Sequence, residues 1–396
     1  MTFKTIDQAD VNGKVVFVRA DLNVPAKDGK ITDDTRIVRF APTVKDLVSR
    51  GAKVLVCTHY GRPKGAKNAE FSVAFIAPAL EKALGQPVQF VDDCIGESVK
   101  ATVSSMKNGD VVLLENVRFY PGEEKNDPDF AQQLAVNAEI YVNDAFSAAH
   151  RAHASTEGMA HLLPAYAGLL MAEELNALDK ALGNPARPVM AIVGGAKVST
   201  KLDLLSNLIT KVDYLVIGGA MANTFLLADG KNVGRSLVEA EMTETAKKIQ
   251  NEAKGKGCTI ILPVDVVEAA EFAEGQIADT VIIDNISDGK MALDVGPRTI
   301  EDVCQAIDAC KTLIWNGPFG AFEIVPFNAA TNAVADYVAK KTKEGKLLSV
   351  AGGGDTVSAL NKAGVDKDLT YISAAGGAFL EWMEGKVLPG VAALAQ

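Results

Sequence analysis

Short runs of β-branched and apolar residues recur along the chain, each closed by glycines or polar residues and separated by stretches of helical spacing. In the first part these runs are "KVVFVRADLNVP", "KVLVCTHYGRPKG", "VVLLENVRFYPGEE" and "EIYVNDAFSAAHRAH". The second part has "VMAIVGGAKVSTK", "YLVIGGAMANTF", "TIILPVDVV", "TLIWNGPFGAFE", "LLSVAGGGDT" and "YISAAGGAF". Between them, "TRIVRFAPTVKDLVSRG" and "TAKKIQNEAKGKG" read as amphipathic helices, the second with a glycine just past its end. Strands that alternate with helices and are apolar on both faces predict mainly parallel sheets covered by helices, an α/β class of three-layer α/β/α domains.

The stretch "GLLMAEELNALDKALGNPARPV" reads as a helix stopped by Gly183, Asn184 and Pro185, before a new apolar strand starts at Val189. A connecting helix over residues 171–188 then divides a domain of residues 1–170 from one of residues 189–380. No solenoid repeat or low-complexity tract interrupts either half.

In open α/β sheets ligands sit beyond the carboxyl ends of the strands. Nearly every unusual cluster in this chain falls there. The first half offers Arg19, Asp21 and Asn23, then His59 and Arg62, then Arg118, then Asp144, His150, Arg151 and His153. The second offers Gly194, Gly195, Lys197 and Lys201, then Gly218 and Gly219, Asp265, Asn316, Glu323 and the run from Gly352 to Thr356. One edge is cationic and the other glycine-rich.

Charge sharpens that division. The net charge of −10 argues against broad nucleic-acid or acidic-membrane binding, yet all four histidines and seven of the ten arginines lie in residues 1–170. Arginine suits bidentate recognition of phosphate and carboxylate, so the clustering points to a small anionic ligand there. Five scattered cysteines without a C-x-x-C pair fit neither a disulfide framework nor a zinc site. With no signal-like leader and no long apolar run, a soluble cytoplasmic protein is expected.

Each cluster has a bland and a functional reading. In "GGGDT" three glycines permit close backbone approach and the following helix supplies amide donors for phosphate. Asp355 either caps that helix or acts as a hard oxygen ligand for Mg²⁺ on nucleotide phosphates. Lys197 and Lys201, at i and i+4, are either a solvated face or phosphate partners. "HYGRP", "HRAHAS" and "DDTRIVR" bring His59, Arg62, His150, Arg151, Arg36 and Arg39 onto loops or helix starts. Glu323 in "WNGPFGAFE" is either part of a turn or an acceptor for a ribose hydroxyl. Walker A, G-x-G-x-x-G and G-x-S-x-G signatures are absent, which disfavours a P-loop ATPase, a standard Rossmann dehydrogenase and an α/β-hydrolase.

Taken in order, "RADLNVP", "DDTRI", "THYGRPKG", "LLENVRFYPGEE", "DAFSAAHRAHAST", "GGAKVSTK", "WNGPFGAFE" and "AGGGDTVSAL" closely resemble phosphoglycerate kinases, from about residue 4 to the C-terminus. The resemblance implies two similar-sized α/β domains joined by a helical hinge, with residues 381–396 returning to the N-terminal domain. It implies a usually monomeric enzyme that moves a phosphoryl group reversibly from 1,3-bisphosphoglycerate to Mg·ADP, by direct in-line transfer after domain closure. It places the phosphoglycerate site at Asp21, Asn23, Arg36, His59, Arg62, Arg118 and Arg151. The nucleotide site falls at Lys197, Lys201, Gly218, Gly219, Asn316, Glu323 and Gly353, Gly354, Asp355 and Thr356, with Asp355 as the Mg²⁺ ligand. Arg36 and Lys201 are the expected catalytic pair, balancing charge on the transferring group.

One segment departs from the pattern. Where the family commonly has Ser-Thr-Gly-Gly-Gly-Ala, this chain has Ser373-Ala374-Ala375-Gly376-Gly377-Ala378. Backbone amides survive such changes, so activity is expected to survive, at about 1 kcal/mol if Ala375 needs positive φ. The alternatives are a kinase for another carboxylate and a catalytically silent nucleotide-binding or scaffold protein. Retention of Arg36, Lys201 and Asp355 together weighs against the second.

Overall fold

The computed structural model of the chain describes residues 3–395. Two compact units emerge. One ends at Asn176 and resumes at Val387; the other is Ala177–Lys386.

The first unit is built on six parallel strands: β1 (Val15–Ala20), β2 (Lys53–Cys57), β3 (Val88–Val91), β4 (Val111–Leu114), β5 (Ile140–Asp144) and β6 (Ala165–Ala167). Their order is β3-β4-β2-β1-β5-β6. Every residue of β1, β4 and β5 is buried, as expected of parallel strands covered on both faces. Val16, Val18 and Ala20 pack into one core with Ile37, Phe40, Val44 and Leu47 of helix α1 (Thr35–Ser49). By strand alternation Phe17 and Arg19 take the other face, where Phe17 stacks on Tyr141 at 6.4 Å between ring centroids. The strand order reverses between β1 and β5, so their carboxyl ends border a crevice.

The boundary between units falls inside helix α2 (Leu169–Leu178), which continues as a wider turn over Asp179–Gly183. The second unit has its own six-stranded parallel sheet: β7 (Val189–Gly194), β8 (Tyr214–Gly218), β9 (Thr259–Ile261), β13 (Thr312–Asn316), β14 (Leu348–Gly352) and β15 (Tyr371–Ser373). The order β9-β8-β7-β13-β14-β15 puts its switch point between β7 and β13. The remaining strands, β10 (Asp265–Ala269), β11 (Asp279–Ile282) and β12 (Met291–Val295), form a separate antiparallel sheet in the order β11-β10-β12.

That small sheet corrects one sequence expectation. "TIILPVDVV" is two strands in two sheets, because Pro263 lacks the N–H that a continuous ladder needs. Helix α3 (Leu202–Leu208) begins after a short tight turn over Ser199–Lys201. Lys197 and Lys201 therefore do not share a face of one α-helix. At the far end of the chain, helix α5 (Gly377–Met383) belongs to the second unit and packs near α3, with Asn207 Nδ2 donating to the Met383 carbonyl at 2.7 Å. This contact holds the segment until Val387, where the first unit resumes.

Candidate functional site

In the first unit the strand ends converge on a cluster of charged groups. Arg36 stands in the first turn of α1, where the helix dipole opposes a cation. Its Nη1 donates to Asp21 Oδ2 at 2.6 Å and to the Asn23 carbonyl at 3.2 Å. Ser147 Oγ also donates to Asp21 Oδ2, and the Asn23 N–H donates to Asp21 Oδ1 at 3.2 Å. Asn23 Oδ1 in turn accepts the Gly61 N–H at 3.1 Å, while Arg118 Nη1 donates to the Gly61 carbonyl at 3.0 Å. The backbone after β2 is thus tied to the loops after β1 and β4.

Electrostatics in this cluster follow burial and crowding. Burial lowers the pKa of His59 well below the ordinary imidazole value, and the Arg19 guanidinium lowers it further. Burial by itself would raise Asp21, but the charges beside it and the hydrogen bonds from Ser147 and Asn23 hold it below the usual carboxylate range. With His59 neutral, Arg36 is the charge that carries this lowering. His153 is pushed down to about 3 by burial, then by Arg19, Arg118, Arg151 and His150, which shows how closely those cations gather. Arg62 and Arg151 are exposed on the loops after β2 and β5.

In the second unit the site is a cavity of about 600 Å³ at the switch point. Its walls include Lys201, Gly219, Asn316, Glu323, Gly353, Gly354, Asp355 and Thr356. Lys201 Nζ donates to Asn316 Oδ1, and Asn316 Nδ2 donates to the Gly352 carbonyl at 2.9 Å. Thr356 is buried and accepts the Gly317 N–H at 2.7 Å, so its hydroxyl joins the two loops. Burial lowers the Lys201 pKa, partly offset by Glu384 and Asp355. The glycines answer a packing demand: a Cβ on Gly194 would lie 1.9 Å from the Pro318 carbonyl oxygen, and one on Gly317 would lie 2.1 Å from the Gly194 carbonyl oxygen. Lys197 is exposed and does not line the cavity, and Gly218 ends β8 one residue before it.

Asp355 is not a helix cap. Helix α4 (Gly354–Ala363) has Gly353 at its N-cap, without a side-chain cap bond, and Asp355 lies exposed in the first turn. A single exposed carboxylate suits Mg²⁺ that arrives already bound to nucleotide phosphates. Among the described residues no group of three or more His, Cys, Asp or Glu side chains is placed to hold a metal by itself.

A second cavity, of about 390 Å³ and mostly apolar, shares Ala196, Gly219 and Gly320 with the first. Leu237, Phe272, Leu293 and Phe319 supply its walls. The sequence reading missed it, because Leu293 belongs to the antiparallel sheet that periodicity did not reveal.

The phosphoglycerate kinase family model matches residues 6–386. The chain belongs to the phosphoglycerate kinase family. It is accordingly a phosphotransferase of glycolysis. It is 61% identical over 394 residues to the phosphoglycerate kinase of Rhizobium leguminosarum bv. trifolii, covering 99% of this chain and 98% of that one. The corresponding protein of Granulibacter bethesdensis is 62% identical over 394 residues, with 100% of both covered. Among solved structures, phosphoglycerate kinase from Coxiella burnetii matches with a TM-score of 0.94 at 42% identity, covering 100% of this chain and 99% of that one. The enzyme from Pyrococcus horikoshii matches at 0.79 and 30% identity, covering 99% and 98%.

Against the family pattern, the Ala374-Ala375 departure is mild. Ala375 is buried and is not among the residues with positive φ; the left-handed position is Gly376, at 51°. Among the described residues no helix is long and apolar enough to cross a membrane.

Proposed function

We propose that the chain transfers a phosphoryl group reversibly between 1,3-bisphosphoglycerate and ADP, giving 3-phosphoglycerate and ATP, with one substrate held by each unit. The observation that carries this reading is the second-unit cavity: Lys201 braced by Asn316, a carboxylate at Asp355, and an adjoining apolar chamber suited to a nucleoside base. The acid substrate belongs to the first unit. There Arg36, Arg62, Arg118 and Arg151 take its phosphate and carboxyl oxygens, His59 donates a hydrogen bond, and Asp21 and Asn23 orient Arg36 and accept the substrate hydroxyl.

Transfer needs no covalent intermediate, since the carboxylate of the acyl phosphate is a good leaving group and the nucleotide supplies the attacking oxygen. The thiols fit that economy. Burial raises the pKa of all five cysteines, with Cys57 and Cys310 at about 12 and Cys258 and Cys304 at about 11, so none is an available thiolate. Catalysis is then positioning and charge balance, with Arg36 and Lys201 meeting the transferring group from the two substrate sides when the domains close. Asp355 would hold the Mg²⁺ that arrives with the nucleotide, and the metal would there supply neutralisation of phosphate charge. Closure also excludes the water that would hydrolyse the acyl phosphate.

We read the protein as a cytoplasmic monomer acting on small molecules, with no nucleic-acid or membrane partner, in keeping with its net charge of −10. Calorimetry tests the division of substrates. In Lys201→Ala, Mg·ADP binding should weaken about tenfold or more while 3-phosphoglycerate binding stays within twofold. Equal loss of both ligands contradicts the assignment.

A further inference from the structure

Arg19 is wholly buried at the end of β1, on the face opposite the α1 core. Its Nε donates to Ser155 Oγ at 2.7 Å, Nη1 donates to the Ala20 carbonyl, and Nη2 lies 3.1 Å from His59 Nδ1. Ser155 passes the contact on, since its Oγ donates to Glu123 Oε1 at 2.5 Å and its N–H to Glu123 Oε2 at 2.9 Å. The guanidinium is therefore braced at several points and has little freedom to turn away from the imidazole.

A guanidinium has five donors and no acceptor. At the contact with His59 the imidazole must accept, so Nδ1 carries no proton and the ring proton of neutral His59 sits on Nε2. We infer that Arg19 is a positioning residue that fixes His59 in the Nε2–H tautomer, so that His59 meets the acid substrate as an uncharged hydrogen-bond donor. This rests on the proposed placement of His59 in the acid-substrate site.

The surrounding charges agree. The groups that face His59 are Arg19 and Asp21 from β1 and the loop after it, Arg118 from the turn after β4, and Arg36 from α1. Three cations face one carboxylate, and protonating Nδ1 would set donor against donor at the Arg19 contact. Glu123, Cys57, Tyr141 and His153 lie around Arg19 itself, and Glu123 is the one carboxylate among them. The substrate then gains a donor whose state does not change with pH in the range where a free histidine titrates.

The test is NMR of the full chain labelled with ¹⁵N in its histidine rings, with the His59 signals assigned by their loss in His59→Gln. In the wild type, Nε2 should be protonated and Nδ1 unprotonated from about pH 5.5 to 8. An Nδ1–H tautomer, or titration of His59 near its free value, overturns the proposal. In Arg19→Met the Nδ1–H tautomer should become populated, and KM for 3-phosphoglycerate should rise about tenfold, with KM for ATP little changed. In the His59→Gln background, which keeps a donor near the Nε2 position, Arg19→Met should add less than about twofold to KM. A tenfold additional rise there would assign Arg19 a purely structural role. If Arg19→Met fails to fold, the wild-type spectrum still decides the tautomer. Adding 3-phosphoglycerate should shift the His59 signals; a saturating addition that leaves them unmoved would overturn the placement of His59 at the substrate while leaving the tautomer standing.

Discussion

Arg36→Ala separates catalysis from architecture, because the structure makes the two losses unequal. Arg36 is held by Asp21 at 2.6 Å and by the Asn23 carbonyl, but its side chain is 38% exposed and it sits at the wrong end of the α1 dipole. Solvent screening limits such a pair to about 1 kcal/mol or less. Removing the cation also relieves its clash with the helix N-terminus, which returns part of that amount. The melting temperature should therefore fall by no more than about 2–4 °C. The rate loss is larger. A donor aimed at the equatorial oxygens of a transferring group is commonly worth roughly 10²–10³-fold in kcat, about 3–4 kcal/mol. The assay is coupled turnover at saturating substrates, with calorimetry for Mg·ADP binding and differential scanning for stability. Expected are a kcat at least about 10²-fold lower, nucleotide affinity within twofold, and a small thermal shift. A kcat within about threefold of the parent would remove Arg36 from the chemistry.

Gly194→Ala forces a Cβ to within 1.9 Å of the Pro318 carbonyl oxygen, so the β7 and β13 ends must part; KM for ATP should rise at least about tenfold while 3-phosphoglycerate affinity holds, as steady-state kinetics and calorimetry will show. Ala375→Gly should change kcat by less than about threefold, since Ala375 already has an ordinary backbone; a hundredfold gain would show that the segment was misread. His153, pushed to about 3 chiefly by burial, is neutral in the fold, so the unfolded chain takes up its proton first as pH falls. Its stabilising effect is full above about pH 6.5 and is lost towards 3, and in His153→Gln the fall in unfolding free energy over that span should be shallower by up to about 1.4 kcal/mol per pH unit in urea titrations. Asp355→Asn should lower kcat/KM for nucleotide about tenfold or more at limiting Mg²⁺, with partial recovery as Mg²⁺ is raised.

The strand ends were the most legible part of the sequence. Runs such as Val15–Ala20 and Thr312–Asn316 are mostly apolar, buried throughout, and lead into the candidate site residues at their carboxyl ends. Shorter strands were not visible. Val88–Val91 has an exposed Gln89, and Ala165–Ala167 is three residues long, too little for periodicity to register. The antiparallel sheet was hidden because Asp279–Ile282 is largely exposed and carries no continuous apolar run. Spacing alone did not fix the geometry of the lysine pair: Lys197 lies before the tight turn over Ser199–Lys201 and Lys201 ends it, ahead of the helix, and of the two Lys201 lines the cavity. Arg19 stood out at a strand end, but its partners His59 and Ser155 are 40 and 136 residues away, so its role was readable only in three dimensions.

The most direct test of the central claim is ADP formation from Mg·ATP with and without 3-phosphoglycerate, using a trap for the acyl phosphate to pull the unfavourable direction. Turnover that requires both the acid and Mg²⁺ is the predicted result. Nucleotide binding without acid-dependent turnover would contradict it and leave a silent member of the family.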